Sequence, residues 1–443
     1  MKRDKIVFIV ILLAAAFSML AFYSNDRVHS GDNGRHSDQV LSSGRVLDAV
    51  TNIPLKGAIV TLNGSEVVET DENGLFTVKS SVHKIAARAH GYTRAELEIA
   101  TKPKISPVEI RLNPFKPKAL YLTVYGIGDR TLRNSALKFI NETELNSLVI
   151  DMKGDRGIIP YKSSLSLASQ IGAQRVITLR DINGTMQSLK EKGIYTIARI
   201  VVFKDNLLGT ARPDLTVKTR DGNIWKDREG LIWVDPSRKE VWDYNIDIAI
   251  EAAKNGFDEI QFDYVRFPDH KGLTFGITNT EENRVKSISG FLMEAKRRLA
   301  PYNVFISADI FGYVAWNLDD TQIGQTIDNL APHIDYISLM LYPSGFRFGI
   351  PGYRNPVANS NKIVFLSLKK AEERTNLPTV RFRPWLQAFK DYAFDRRQFT
   401  GVEIREQIKA VEDFGSNGWM LWNPRNIYSS DGLHKKAVLM SNS

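Results

Sequence analysis

From position 118 onward, short runs that are apolar on both faces alternate with longer stretches whose apolar positions recur every three or four residues. The apolar runs fall at 119–125, 147–152, 195–202, 259–264, 304–310, 336–341, 384–388 and 418–422. Such runs predict parallel strands covered by helices on both sides. Helical spacing fills 131–143, 181–192, 239–255, 280–299, 322–331 and 402–412. Eight strand–helix units predict an α/β domain over 118–443, a (β/α)8 TIM barrel with enlarged loops. The link between the sixth and seventh strands is the least regular. A doubly wound open sheet is the alternative, but no Gly-x-Gly-x-x-Gly follows the first strand, where Gly126-Ile127-Gly128-Asp129 forms only a short glycine turn.

Residues 41–113 carry a different pattern. Short alternating runs at 43–47, 58–62, 75–78 and 108–112 are separated by turn signals such as Asn63-Gly64 and Asn73-Gly74. This predicts a small all-β sandwich. Gly44-Arg45-Val46-Leu47-Asp48, Pro54-Leu55-Lys56-Gly57-Ala58-Ile59-Val60, Thr70-Asp71-Glu72-Asn73-Gly74-Leu75-Phe76 and Ala89-His90-Gly91-Tyr92 resemble the carboxypeptidase regulatory-like, or transthyretin-like, domain. That resemblance implies an accessory or spacer module without catalysis. Asp71-x-Asn73-Gly74 reads as a turn rather than a calcium site. Pro103, Pro107, Pro114 and Pro117 mark a stiff exit toward the barrel.

The first 23 residues open with Met1-Lys2-Arg3-Asp4-Lys5 and then run apolar from Ile6 to Tyr23. The run suffices for one membrane span, and the preceding basic residues orient the rest of the chain outside the cytoplasm. A cleaved signal peptide is the rival, but Ala16-Phe17-Ser18 lies inside the run and Leu20-Ala21-Phe22-Tyr23 is bulky. An envelope-anchored protein is therefore expected, with a polar linker over 24–40. Secretion or periplasmic release after cleavage is the alternative.

Composition narrows the chemistry. The 443 residues are 43% hydrophobic and 25% charged, which excludes a mainly disordered chain or a multi-span membrane protein. With no cysteine, thiol nucleophiles and thiolate metal sites are excluded. Four of the seven histidines precede the barrel and the other three, His270, His333 and His434, show no paired spacing, so no metal and no cofactor are expected. No Gly-x-Ser-x-Gly elbow is present. The net charge of +9 comes without a basic stripe or a nucleic-acid reading motif, so it points to no nucleic acid and stays compatible with an acidic polysaccharide or envelope surface.

In a barrel the active site sits at the strands' C-terminal ends. Those ends carry Tyr125, Asp151, Lys153, Arg199, Lys204, Asp263, Tyr264, Arg266, Asp309, Tyr342, Gln387, Trp422 and Asn423. Carboxylate chemistry fits this set best. Hydrolysis of a glycosidic bond needs one carboxyl as proton donor and a second as nucleophile or base. Asp263 and Asp309 close adjacent strands four and five and are the candidate catalytic pair. The candidate substrate-binding residues are Tyr125, Asp151, Lys153, Arg199, Tyr264, Arg266, Tyr342, Gln387, Trp422 and Asn423. Trp316, Trp422, Tyr264 and Tyr342 are candidate stacking surfaces for sugar rings. Arg199 and Arg266 are suited to bind hydroxyls, to fix a carboxylate or to meet an acidic sugar. Lys153 is expected beside Asp151 and Asp155, which would keep it charged. Trp225, Trp233 and Trp242 are expected to pack or to anchor the long third loop.

Three stretches carry a second resemblance. They are the segment from Leu145 through Asp151-Met152-Lys153-Gly154-Asp155 to Gly157, the pair Trp233-Val234-Asp235-Pro236-Ser237 and Phe262-Asp263-Tyr264-Val265-Arg266-Phe267-Pro268, and Asp335 through Tyr342-Pro343-Ser344. Together they resemble a bacterial glycoside hydrolase family, a barrel distantly related to the α-amylase type, over almost the whole region from Lys118 to about Tyr428. The resemblance implies a polysaccharide-directed hydrolase with Asp263 as nucleophile and the strand-five acid, here Asp309, as proton donor. Related barrels more often place Glu at that donor position. A non-catalytic glycan-binding protein and an envelope scaffold on the same barrel are the rival readings.

Overall fold

The computed structural model describes residues 40–79, 82–99 and 108–436. The expected anchor over 1–23 and the linker up to residue 39 lie outside them. Among the described residues no helix is long and apolar enough to cross a membrane.

Seven strands precede the barrel and form two sheets. In the first, β1 (Val40–Asp48) lies between β4 (Leu75–Lys79) and β7 (Val108–Leu112). In the second, β2 (Ile59–Leu62) pairs with β3 (Glu66–Glu69) and β5 (Lys84–Arg88), and β6 (Ala95–Glu98) closes the edge. Alternation aims one side of each sheet inward, where Val46, Val60, Leu62, Phe76, Ile85, Ile110 and Leu112 share one core. The sequence pattern anticipated β1, β2, β4 and β7. It missed β3 and β6, whose side chains are mostly exposed, and β5, whose Ile85-Ala86-Ala87 run does not alternate.

The remaining chain closes an eight-stranded parallel barrel. Its staves in chain order are β8 (Lys118–Leu122), β9 (Ser147–Lys153), β10 (Tyr195–Val201), β12 (Glu259–Asp263), β14 (Phe305–Phe311), β15 (Tyr336–Met340), β16 (Trp385–Gln387) and β17 (Trp419–Trp422). A two-stranded ribbon, β11 (Lys218–Thr219) with β13 (Leu273–Thr274), lies outside the barrel. All eight apolar runs read from the sequence are staves. The seam pairs Trp419, Met420 and Leu421 with Lys118, Ala119 and Leu120. Gly418 makes it possible: its φ is +81°, and a Cβ there would lie 1.8 Å from the Pro117 carbonyl oxygen.

Helices α1 (Arg130–Glu142), α2 (Ser166–Gln170), α3 (Ile182–Glu191), α4 (Asn206–Ala211), α5 (Lys239–Lys254), α6 (Glu281–Leu299), α7 (Ile327–Leu330), α8 (Ser360–Thr375) and α9 (Gly401–Phe414) connect the staves. Asp129, Asp181 and Asp205 cap α1, α3 and α4 by accepting from backbone N–H groups. The helix expected over 322–331 shrinks to α7, because Thr321 and Gln322 take positive φ while Asp320 accepts from Gln322 N and Gly324 N. Helix α8 accounts for the irregular link between the sixth and seventh staves.

The two-sheet domain sits against the N-terminal ends of the staves. Arg94 pairs with Asp258 at 3.1 Å and His90 with Asp335 at 3.4 Å, and Gly91 N donates to the Tyr336 hydroxyl at 3.1 Å. Burial would raise the Asp335 carboxyl, but His90 and Arg88 override it and hold that group well below the ordinary range. The C-terminal mouth of the barrel, at the opposite end, is left open.

Candidate active site

Side chains one stave face apart point into the lumen in layers. On β12 that face carries Glu259, then Gln261, then Asp263. At the base Glu259 accepts from Tyr195, Ser307 and Arg383, forming a closed polar layer under the mouth. Gln261 Nε2 donates to Ser338 Oγ at 3.2 Å in the middle. Asp263 emerges at the top.

Arg199 on β10 organises the mouth. Its Nη1 donates to Asp151 Oδ1 at 2.6 Å, and its Nε and Nη2 both donate to Asp263 Oδ2, the former at 3.0 Å. Asp309 Oδ2 lies 3.8 Å from the same Nε. The guanidinium also lies over the rings of Trp422 (4.8 Å) and Tyr121 (5.3 Å), which stack on each other at 4.0 Å. Burial alone would lower the Arg199 pKa, but Asp151 and Asp263 hold it well above the ordinary value. Asp151 is raised by its burial, an effect that Arg199 and the Tyr121 hydroxyl, donating to Oδ2 at 2.6 Å, offset in part.

Asp309 occupies a different environment only one stave away. It is 1% exposed, and its Oδ1 accepts from Trp385 Nε1 at 2.7 Å. Burial, then the neighbouring Asp263 charge, push its carboxyl well above the usual range, and Arg199 and Trp385 offset this only in part. Because indole nitrogen only donates, Oδ1 must remain an acceptor, and any proton on Asp309 rides on Oδ2. The two Oδ2 atoms lie 3.0 Å (Asp263) and 3.8 Å (Asp309) from Arg199 Nε, so they are at most 6.8 Å apart.

Tyr264, directly after Asp263, has φ of +48°, a costly conformation for a tyrosine that turns its N–H onto Asp263 Oδ1 at 2.5 Å. Its ring is held edge-on to Trp233 and lies under Lys204 at 5.2 Å. The backbone is thus bent where the carboxylate is presented.

A cleft of about 310 Å³ opens above these groups, lined by Arg199, Asp263, Tyr264, Arg266, Asp309, Tyr342 and Trp422 together with Met340, Tyr313, Phe346 and Tyr392. Burial, then the charges of Asp309 and Asp263, raise the Tyr342 phenol well above its ordinary value. A second, larger groove of about 890 Å³ shares Tyr264, Arg266, Asp269, Phe311, Tyr313 and Tyr392 with the cleft and runs on past Trp225, Trp233 and Phe348.

The structure therefore gathers Asp263, Asp309, Arg199, Tyr264, Arg266, Tyr342 and Trp422 around one cleft. It does not bring the other expected residues there. Asp151 stands behind Arg199 and does not line the cleft. Lys153 is fully buried and pairs with Asp205 at 2.7 Å, not with Asp151 or Asp155; the bulge between β9 and β10 turns it into the wall. Burial lowers its pKa, and Asp205 counters that in part. Gln387 is fully buried and holds Ser344 and the Phe389 carbonyl. Asn423 ties its own loop, donating to the Ala388 and Ile427 carbonyls. Tyr125 is 52% exposed and lines neither cavity. Trp316 turns to α8 and donates to Ser367 Oγ at 2.9 Å instead of facing a sugar site. Tyr121 and Trp385 were missed, although each lies two residues from a position on the same lumen face, a signal that period-two counting contains.

Residues 119–428, about 70% of the chain, match the family described as "Putative glycosyl hydrolase domain". No curated protein matches the chain. Among solved structures, the chain is similar to a hypothetical protein from Ruminiclostridium thermocellum, 37% identical over 43% of this chain and 96% of that one, with a TM-score of 0.39. The PgaB (BpsB) glycoside hydrolase domain from Bordetella bronchiseptica is 13% identical over 71% of this chain and 95% of that one, with a TM-score of 0.52. A class V chitinase from Pseudomonas fluorescens is 11% identical over 71% and 97%, with a TM-score of 0.43. At 13% identity the Bordetella likeness speaks to the fold, an eight-stranded barrel.

Proposed function

The chain belongs to the "Putative glycosyl hydrolase domain" family, and from that premise we propose that it hydrolyses a glycosidic bond in a polysaccharide by two-carboxylate chemistry. One observation carries the reading: Asp263 and Asp309 share a guanidinium but sit in opposed environments. Asp309, buried and pushed up, is suited to hold a proton at Oδ2 and to deliver it to the glycosidic oxygen. Asp263, gripped by two N–H groups of Arg199 and its own neighbour's backbone N–H, is the carboxylate that attacks C1. The limit of 6.8 Å between their oxygens favours retention, for which about 5–5.5 Å is usual, over inversion at about 6.5–9.5 Å. In that sequence a glycosyl ester forms on Asp263 as the leaving group takes the Asp309 proton, and Asp309 then activates the water that releases the sugar.

The N-terminal sequence motivates our reading of the protein's surroundings in the cell. The reading is an envelope-anchored enzyme facing outward, with the two-sheet domain as a spacer of the carboxypeptidase regulatory-like kind, acting on an extracellular or envelope polysaccharide. The full chain, purified in mild detergent and incubated with a panel of polysaccharides, is expected to release new reducing ends. The Asp263→Asn variant, folded by circular dichroism, is expected to release none. Full activity in that variant removes Asp263 from the mechanism. Saturable binding by wild type without any product assigns the cleft to glycan binding instead.

A further inference from the structure

Three cationic side chains at the barrel mouth are neutralised by carboxylates of the described residues. Arg199 is shared by Asp151 and Asp263, Lys153 is paired with Asp205, and Lys204 meets Asp227 at 3.2 Å and Glu229 at 3.0 Å. Arg266 has no such partner: among the described residues its one hydrogen bond is from Nη1 to the Phe267 carbonyl at 3.0 Å. No carboxylate of the described residues pairs with it. It is half-buried and lies over the rings of Trp233 at 4.9 Å and Tyr264 at 5.2 Å. Asp263, Asp269 and Asp227 act on it only through longer-range attraction, which does not compensate the burial that lowers its pKa. A half-buried guanidinium without a carboxylate partner is only partly solvated, and an anion arriving from outside would complete its shell. The site is placed for that, since Arg266 lines both the catalytic cleft and the larger groove.

We propose that Arg266 receives the carboxylate of an acidic sugar, which makes the substrate a uronic acid-containing polysaccharide bound across the cleft and the groove beside it. The inference rests on the hydrolase reading above. The planar fork, fixed against two aromatic rings, suits a bidentate carboxylate contact better than a lone hydroxyl. The groove beyond it offers rings to further sugar units: Tyr392 is half exposed, and Phe348, 88% exposed, stands at its outer edge.

The test uses the full chain carrying Asp309→Asn, which mimics the protonated side chain and prevents turnover. Calorimetry measures binding of oligogalacturonate, oligoglucuronate and oligomannuronate, each beside its carboxyl-reduced counterpart. At least one uronate is expected to bind about tenfold or more tightly than its reduced form, the scale of one charge-assisted bidentate contact. Adding Arg266→Gln is expected to erase that difference, lowering affinity for the uronate much more than for its reduced form. Arg266→Lys, which keeps the charge and packs similarly, is expected to retain only part of it and serves if the glutamine variant does not fold. Equal affinity for acidic and reduced forms across the panel overturns the proposal, as does equal loss of both on substitution. Reducing-end release by wild type separates this from the hydrolase reading. Preference without product leaves the acidic-sugar site standing and removes the enzyme; cleavage of a neutral glycan without preference removes the acidic-sugar site alone.

Discussion

Replacing Asp309 by Asn is expected to stabilise the protein at neutral pH while abolishing its chemistry. Asp309 is 1% exposed and sits beside Asp263, so its folded-state pKa is raised well above the ordinary value. At low pH the group is protonated in both folded and unfolded chains and contributes nothing. As pH rises past about 3.9, the unfolded chain releases the proton and the folded one keeps it, so stability falls with pH until the folded group also ionises. At pH 7 the cost reaches at most about 4 kcal/mol, at about 1.4 kcal/mol for each of roughly three pH units. Asparagine carries no such cost, and its carbonyl oxygen can still accept from Trp385 Nε1. Its amide nitrogen would then face Arg199 Nε, a donor opposite a donor, at a penalty of about 1–3 kcal/mol. The net gain at pH 7 is therefore at most about 1–3 kcal/mol, and near pH 4, where only the amide penalty remains, the variant is expected to be less stable by about 1–3 kcal/mol. Urea denaturation of both proteins from pH 4 to pH 8 measures it. All seven tryptophans lie in the barrel, so their fluorescence reports the domain in question. A difference that does not grow with pH, or a variant less stable than wild type at pH 7, refutes the assignment of a neutral, buried acid.

Three further outcomes are expected. Lys153→Met leaves Asp205 buried without its partner and should cost about 3–5 kcal/mol in the same assay, yet leave oligosaccharide affinity unchanged because the side chain does not reach the cleft. Trp385→Phe removes a donor that favours the ionised form of Asp309, so the alkaline limb of the kcat/KM profile should move to higher pH; an unmoved limb detaches Asp309 from the acid role. Asp335, held low by His90 and Arg88, contributes stability that is present above the ordinary aspartate pKa and lost as pH falls below about 4. The advantage of wild type over Asp335→Asn should therefore shrink in acid denaturation as pH falls below about 4.

The barrel was legible because its staves are buried on both faces and so read as unbroken apolar runs. The mouth was legible only in part, since a strand end tells which residues are near the top but not which way a loop turns them. Asp263, Asp309 and Arg199 follow the period-two rule and meet. Lys153 follows it in sequence, but a bulge sends its ammonium to Asp205, a partner 52 residues away. Gln387 and Asn423 have the right height and spend their amides on the loops beside them. Trp385 escaped notice because a tryptophan inside a strand reads as packing, and only the fold reveals that its N–H meets a carboxylate 76 residues away. Helix α8 was obscured by the run Ile363-Val364-Phe365-Leu366, which lacks a helical period.

The seam between β17 and β8 sets an order of events. Its partners, Lys118–Leu120 and Trp419–Leu421, are separated by some 300 residues, so the sheet cannot become a closed ring until almost the whole chain has left the ribosome. Until then β8 offers a bare edge, and bare edges invite pairing with other chains. The two-sheet domain has no such wait, because its strands are complete by Leu112. It can form first and, through Arg94, His90 and Gly91, give Asp258, Asp335 and Tyr336 a surface to assemble on. The two-sheet domain would then act in biogenesis, as a template for the end of the barrel opposite Asp263 and Asp309.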